Sequence, residues 1–258
     1  MTYVLTLRSG VKERIDASAI ATDRACWIGR RRVPLAELFD IKGEPDADVR
    51  VAGDLRRVDG LGTGMASGTL TIEGDAGRDV GQGQKGGTIE VTGNVGDGAG
   101  VAMSGGLLRI RGSAGDRLGA PLPGASRGMT GGEIIVRGNA GAGAATRVRR
   151  GLVVVGGNAG PGAGHAMIAG TILVGGQVGI GAGLWSKRGS VIALGGVEIP
   201  GTYRYACTYR PPFMPVLLRY LQRMRGFAID ARFATGRYKR WTGDVADVGK
   251  GEILEWTT

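Results

Sequence analysis

The side chains that most often carry catalysis or bind metals are scarce in this chain. There is one histidine, His165, in a predicted turn, and no acid or nucleophile stands in evident register with it. The two cysteines, Cys26 and Cys207, do not belong to a C-x-x-C pair, the spacing of many zinc and iron–sulfur sites. We therefore predict no catalytic residue and no metal site in this chain.

Glycine-rich segments recur as G-x-x-G-x-x-x-G, for example at Gly74, Gly77 and Gly81. Nucleotide-binding glycine loops follow a strand and open a long helix, whose N-terminus receives the phosphate. Here another short strand follows each glycine segment within a few residues. We therefore interpret the glycines as corners of the backbone, because Gly and Asn tolerate positive φ.

Basic side chains are the more informative group. Residues 134–240 hold 15 Lys and Arg against two acids, whereas residues 1–133 hold 17 of each sign. Such a local field attracts a polycarboxylate or an acidic partner surface, although a solvated face without a ligand is the alternative. Nucleic acid is not predicted, because no recognition fold is present. The predicted binding group consists of Arg147, Arg149, Arg150, Lys187, Arg188, Arg204 and Arg210.

These residues belong to a repeat that fills the middle of the chain. Cuts before each short apolar strand lie 19 residues apart, except for one 26-residue unit with a predicted loop around Pro121 and Pro123. Nineteen residues at about 3.3 Å each make a coil of three short sides. We predict an all-β, right-handed parallel β-helix of about eight 19-residue rungs. The cuts precede Thr69, Thr88, Leu107, Glu133, Leu152, Thr171 and Ser190.

Apolar columns fix the register of the repeat, and two of them, two places apart, are predicted to point inward. The outward column between them is polar in the first repeats, at Thr71, Glu90 and Arg109, and apolar in the later ones. An apolar strip has to be covered. We predict that a partner subunit or the C-terminal segment covers it, and we assign it as a partner interface. The apolar strip consists of Ile135, Val154, Leu173 and Ile192.

Two flanking segments break the repeat, which occupies residues 48–200. Residues 1–47 are predicted to form an N-terminal cap, with a hairpin of residues 3–7 and 12–15 and a short helix at 34–39. Residues 201–258 are predicted to form a C-terminal cap with one helix at 215–224, where apolar residues have helical spacing. Neither a secretion signal nor a membrane-spanning stretch is evident, so we expect a cytoplasmic protein.

The glycine repeats, most specific over residues 69–196, resemble the C subunit of formylmethanofuran dehydrogenase. They resemble still more the corresponding subunit of the bacterial formyltransferase/hydrolase complex, and the same helix is similar to the C-terminal domain of the glutamate synthase large subunit. Arg outnumbers Lys 27 to 6, as in bacteria of high GC content, which favours the hydrolase version. The chain departs from the glycine pattern at Arg56 and Ala145, which affects the local turn rather than the fold.

The resemblance implies a non-catalytic scaffold subunit in the one-carbon metabolism of methylotrophy. An amidohydrolase-like subunit and a formyltransferase subunit would do the chemistry. They would move formyl from tetrahydromethanopterin to a methanofuran-type carrier with a polyglutamate tail and release formate. This chain would bind no cofactor alone, and its basic group would hold that tail or an acidic partner.

Three alternatives remain open. One is the C subunit of a formylmethanofuran dehydrogenase, and another is a stand-alone β-helix that binds a polyanion. The third, a β-helix acyltransferase, is disfavoured because that class uses six-residue repeats, or 18 residues per coil, rather than 19.

Overall fold

The computed structural model describes residues 3–20, 25–44 and 46–257. Most regular structure is in short strands, and none of the helices in these ranges is long and apolar enough to cross a membrane. The helices are α1 (Leu35–Leu38), α2 (Met214–Arg225) and α3 (Arg232–Thr235). The strands are β1 (Tyr3–Leu7), β2 (Ile15–Asp16), β3 (Ala25–Ile28), β4 (Arg31–Pro34), β5 (Phe39–Lys42), β6 (Asp48–Ala52), β7 (Val58–Asp59), β8 (Thr69–Ile72), β9 (Thr88–Val91), β10 (Leu107–Ile110), β11 (Glu133–Val136), β12 (Leu152–Val155), β13 (Thr171–Val174), β14 (Arg188–Ala193), β15 (Arg204–Tyr209), β16 (Arg237–Gly243) and β17 (Lys250–Thr257).

One long, largely parallel sheet runs through the described residues in the order β15-β16-β17-β14-β13-β12-β11-β10-β9-β8-β6-β1-β5. From β8 to β14 each strand pairs in parallel with the strand one repeat later, so that Leu70 stands opposite Ile89 and Ile89 opposite Leu108. A second series of parallel bridges links the next side of successive repeats, from Leu55–Ala76 onward. The mostly β architecture and the predicted register of the columns are therefore confirmed, and the long sheet is consistent with a β-helix.

A ladder of polar side chains joins one repeat to the next at the corner after each strand. Asp75 accepts a hydrogen bond from the backbone N–H of Asn94 at 2.7 Å, and Asn94 accepts one from Ser113 at 2.8 Å. In the next repeats the Ser113 hydroxyl accepts from the backbone N–H of Asn139 at 3.0 Å, and the Asn139 side chain accepts from that of Asn158 at 2.8 Å. Each side-chain oxygen satisfies a backbone donor at a tight corner, which explains why Asp, Asn or Ser follows the first glycine of these repeats.

The inward columns form the core. Their side chains are buried from β8 to β14, with Leu70 the most exposed of the first column at 7%. Met103, Met129 and Met167 are also buried among them, as expected for methionines that fill a core. Because full burial of a Val, Leu or Ile side chain contributes about 1.5–3 kcal/mol, these stacked columns dominate the stability of the repeats.

The predicted N-terminal hairpin of residues 3–7 and 12–15 is wrong. β1 pairs antiparallel with β5 and parallel with β6, so it joins the long sheet. β2 pairs with β3 and β7 in a second sheet of order β4-β3-β2-β7. Leu5 and Leu7 of β1 are buried in the core of the repeats, and this burial outweighs the local turn. The predicted short helix is present as α1, while residues 1, 2, 21–24 and 45 of the cap lie outside the described residues.

The C-terminal segment contains more than the one predicted helix. That helix is present as α2, but the short α3 and the strands β15, β16 and β17 accompany it. β17 pairs in parallel with β14, which places Ile253 opposite Val191 and Leu254 opposite Ile192. β16 and β15 then add antiparallel strands. The segment thus extends the sheet at the point where the repeats end; residue 258 lies outside the described part.

Candidate functional site

The apolar strip is buried by the chain itself. Ile135, Val154, Leu173 and Ile192 are at most 1% exposed. Side chains with so little free surface offer nothing to a partner protein, so their assignment to a partner interface is corrected. Of the two predicted covers, the C-terminal segment is the one found. The strip clusters with Leu194, Met214, Leu218, Leu221, Phe227, Phe233, Tyr238 and Leu254.

A polar clasp fastens α2 over the start of the strip. Arg225 donates to Glu133 through Nε at 2.6 Å and through Nη2 at 3.2 Å, and the Tyr220 hydroxyl donates to the same carboxylate. Burial acts to raise the pKa of Glu133, but these hydrogen bonds and the charge of Arg225 outweigh it and lower the pKa below its ordinary value. The carboxylate therefore stays charged and paired at neutral pH.

The seven residues of the predicted basic group are all exposed, and two of them, Arg147 and Lys187, line one surface recess. Equivalent backbone hydrogen bonds from Arg149 and Lys187 place these two side chains at the same position of repeats two apart, as predicted. Arg188 instead begins β14 beside β17, and Arg204 donates to the carbonyl of Gly201 at 2.7 Å. The group therefore divides between the corner of the repeats and the C-terminal strands.

Arg147 and Lys187 line one cavity of about 560 Å³ at the corner of the later repeats. Its other lining residues include Arg127 and Asp247, which lie outside the repeat pattern and which sequence reasoning missed. The 26-residue spacing did mark the loop that carries Arg127, but not the direction of that loop. We call this cavity the corner niche and define it by Arg127, Arg147, His165, Trp185, Lys187 and Asp247.

The floor of the corner niche has an unusual backbone conformation. Arg147, Ala166 and Trp185 occupy the same place in three successive repeats, and their φ angles are 51°, 52° and 62°. Gly83 occupies this place in an earlier repeat, with a φ of 62°. A side chain in this left-handed region costs about 1–2 kcal/mol relative to glycine. Arg147 and Trp185 therefore stand at a corner where glycine would be more stable, and Ala102 of an earlier repeat has the same conformation with a φ of 55°.

A turn of the C-terminal segment forms the wall that carries Asp247. Asp244, which is 1% exposed, accepts hydrogen bonds from the backbone N–H groups of Trp185 and Ala246, both at 2.9 Å. Burial acts to raise the pKa of Asp244, but these hydrogen bonds outweigh it and lower the pKa. A charged carboxylate thus ties the turn to the corner of the repeats.

The histidine of the corner niche is uncharged at neutral pH. Burial lowers the pKa of His165 below its ordinary value of 6.5, and the nearby charge of Arg147 lowers it further. Across residues 3–20, 25–44 and 46–257, no group of three or more His, Cys, Asp and Glu side chains is placed to hold a metal ion. The niche can therefore offer cations and a neutral imidazole to an anion.

Comparison with curated proteins gives a partial match. No protein-family model matches the chain. It is 38% identical over 78 residues to the C subunit of molybdenum-containing formylmethanofuran dehydrogenase 1 from Methanothermobacter thermautotrophicus and, equally, from Methanothermobacter marburgensis. The match covers 30% of this chain, and the chain spans only 19% of the length of these relatives.

Comparison with solved structures gives a match over the whole chain. The chain is similar to one in the crystal structure of the formyltransferase/hydrolase complex from Methylorubrum extorquens in complex with methylofuran. The TM-score is 0.87 at 31% identity, over 99% of this chain and 100% of that chain. Both comparisons match the chain to components of enzymes named for a formyl group, which defines its class. The chain belongs to the family that comprises the C subunit of formylmethanofuran dehydrogenase and its counterpart in the formyltransferase/hydrolase complex.

Proposed function

We propose that the chain is a non-catalytic scaffold subunit of a cytoplasmic formyltransferase/hydrolase complex. In this proposal residues 48–200 form a right-handed parallel β-helix of about eight 19-residue rungs, between an N-terminal and a C-terminal cap. The other subunits, one amidohydrolase-like and one a formyltransferase, transfer formyl from tetrahydromethanopterin to a methanofuran-type carrier and hydrolyse it to formate.

One observation carries this proposal: the likeness to a chain of the Methylorubrum extorquens complex extends over the full length of both chains, at 31% identity. A shared fold alone would not support a shared assembly, because unrelated functions occur on one fold. Here the non-repeating flanks are matched as well as the repeats. The family membership of the chain points in the same direction.

Native mass spectrometry of the protein purified from its own cells tests the proposal. We expect a hetero-oligomer that contains amidohydrolase-like and formyltransferase subunits. We also expect the chain, purified alone, to turn over no formyl substrate. A lone monomer or homotrimer, or formyl turnover by the isolated chain, would contradict the scaffold role.

We further propose that the seven-residue basic group defined above, whose first member is Arg147 and whose last is Arg210, holds the polyglutamate tail of the carrier. Exposed Arg and Lys suit a flexible row of carboxylates, and each contact contributes about 0.2–1 kcal/mol. Reversal of Arg149 and Arg150 to Glu tests this: we expect normal assembly but weaker binding of carrier, with short-tailed analogues unaffected. Failure of assembly in that variant would instead assign these residues to an acidic partner surface.

A second candidate function is that of the C subunit of a formylmethanofuran dehydrogenase. The 38% identity over 78 residues to such subunits favours it. Metal analysis of the purified complex separates the two, because the curated relatives are named as parts of a molybdenum enzyme. Molybdenum in stoichiometric amount would favour the dehydrogenase, and its absence from an active hydrolytic complex would favour the first proposal.

A further inference from the structure

We propose that the corner niche is a binding site for a small multivalent anion that carries carboxylate or phosphate groups. The inference rests on the proposed function only in sharing Arg147 and Lys187 with the tail-binding group. The class of ligand follows from the charges and the aromatic ring that line the cavity.

The charges of the niche favour an anion. Arg127, Arg147 and Lys187 line the cavity together with Asp247, so three positive charges and one negative charge leave a net +2. In the described part of the chain, none of the ion pairs involves these three cations. The Arg147 guanidinium donates only weakly, to the Ala125 carbonyl at 3.3 Å. Two guanidinium forks beside an ammonium group match the oxygens of carboxylates and phosphates.

The cations converge from separate parts of the chain. Arg127 ends the seven-residue insertion, which is tied to the repeats because the Gly128 N–H donates to the Arg147 carbonyl at 2.9 Å. Lys187 stands two repeats after Arg149, and its backbone N–H donates to the carbonyl of Met167 at 2.8 Å. The turn after Asp244 closes the opposite side. An insertion, three repeats and the C-terminal turn thus build a cavity of about 560 Å³, which is large enough for a multivalent small molecule.

The floor of the niche adds an aromatic ring to these charges. Ala166 stands between Arg147 and Trp185 in the same column, and all three residues line the niche. Trp185 is 54% exposed and lies beside the cations. Its ring can cover the hydrocarbon part of a ligand whose charged groups reach the arginines. The left-handed backbone itself belongs to the repeat, since Ala102 and Ala166 adopt it as well, and the niche differs in carrying a cation and an indole ring at this place.

Titration of the purified full-length chain with tricarballylate and with inorganic pyrophosphate, at low ionic strength, tests the site. Calorimetry and the fluorescence of the chain are followed together, with Trp185→Phe to assign the signal. We expect saturable binding of both probes, weakened about tenfold or more by Arg127→Ala and by Arg147→Ala, since each removes a charge-assisted hydrogen bond. Asp247→Asn should tighten binding, because it removes the opposing charge.

Arg137→Ala is the matched control, because Arg137 is an exposed arginine of the same repeat as Arg147 but neither lines the niche nor belongs to the basic group. It should leave the affinity for both probes unchanged. Arg147→Ala is expected to fold, since Ala166 adopts the same left-handed conformation. Absence of saturable binding, or an equal loss in Arg137→Ala, would overturn the proposal in favour of diffuse surface charge. Failure of the chain to co-purify with other subunits would instead contradict the scaffold function and leave this result in place.

Discussion

The outer face of the long sheet differs between its first and its later repeats, although the inward columns are alike. At the same outward position Thr71, Glu90 and Arg109 are partly exposed, whereas Leu173 and Ile192 are fully buried. In the first repeats the face is stabilised by cross-strand pairs such as Arg109 with Glu90 at 2.5 Å. In the later repeats α2, α3 and β17 cover it.

The difference shows that one repeat pattern can serve two purposes. The inward side of every repeat is committed to the core, so the outward side is free to vary. The early face remains half-open to solvent. The late face binds the chain's own C-terminal segment, and that segment in turn supplies the wall of the corner niche through Asp244 and Asp247. The stability of the late face is therefore coupled to the site.

Leu173→Asp should detach the C-terminal segment from the late face and cause the largest loss of stability among these variants. The change removes a fully buried Leu, which costs about 2–5 kcal/mol, and places a carboxylate in an apolar cluster at further cost. We expect a fall in Tm of roughly 10 °C or more and release of residues 201–257 to proteases. Differential scanning calorimetry and limited proteolysis measure the two effects.

The matched control is Thr71→Asp, which introduces the same charge at the same outward position of an early repeat. Thr71 is half-buried and lies between Arg50 and Glu90 on neighbouring strands, so the new carboxylate has one attractive and one repulsive neighbour. We expect a change within about 1 kcal/mol. An equal fall in Tm for both variants would show that burial under the C-terminal segment does not make the late face more sensitive to a charge than the early face.

The repeat made the inward half of the fold predictable. A period of 19 with apolar residues two places apart can be met by one register only, so the pairing of Leu70 with Ile89 followed directly. The C-terminal strands had no such signal: β17 pairs with β14, some 60 residues earlier, and no turn or period announces that contact. The apolar residues of the outward strip did predict that another segment or subunit must cover it. The identity of the cover depended on α2 and β17, whose partners are distant in sequence.

Glu133→Gln should weaken the clasp that holds α2 on the late face, with a smaller loss of stability than Leu173→Asp causes. The Glu133 carboxylate accepts from Arg225 and Tyr220, and hydrogen bonds to a charged group contribute about 1.5–3 kcal/mol. Glu90→Gln is the control, because the Glu90–Arg109 pair is about as exposed as the Glu133–Arg225 pair but joins two strands. It should cost about 0.2–1 kcal/mol. Hydrogen exchange of α2 should accelerate only in Glu133→Gln.

The same clasp predicts a pH dependence. The folded pKa of Glu133 lies below its ordinary value of 4.5, so the clasp contributes stability that is fully present above that value and is lost as the pH falls through the folded pKa. Glu133→Gln should therefore lose less stability on acidification below pH 4.5 than the parent chain does. Equal acid sensitivity of the two proteins would show that Glu133 does not carry this contribution.

The prediction of the niche from sequence was partial for a related reason. Arg147 and Lys187 were identified because they stand in the repeat and in its basic half. Arg127 lies in the insertion, and Asp247 in a turn held by the buried Asp244, so their positions depend on loop conformation. Repeat periodicity carries no information about either loop.

The two cysteines should differ in their rate of reaction with a thiol reagent, which reports separately on the two ends of the chain. Cys26, in β3, is 0% exposed; burial and, to a smaller degree, the charge of Asp16 raise the pKa of its thiol to about 12. Cys207, in β15, is exposed. Because the thiolate is the reactive form, we expect a thiol reagent at pH 8 to label Cys207 within minutes and Cys26 only after unfolding. Mass spectrometry of the labelled peptides identifies the site, and Cys207→Ser should abolish the fast reaction. In Leu173→Asp, we expect continued protection of Cys26, because only the C-terminal segment detaches. Rapid labelling of Cys26 would mean that the two ends unfold together and would contradict this expectation.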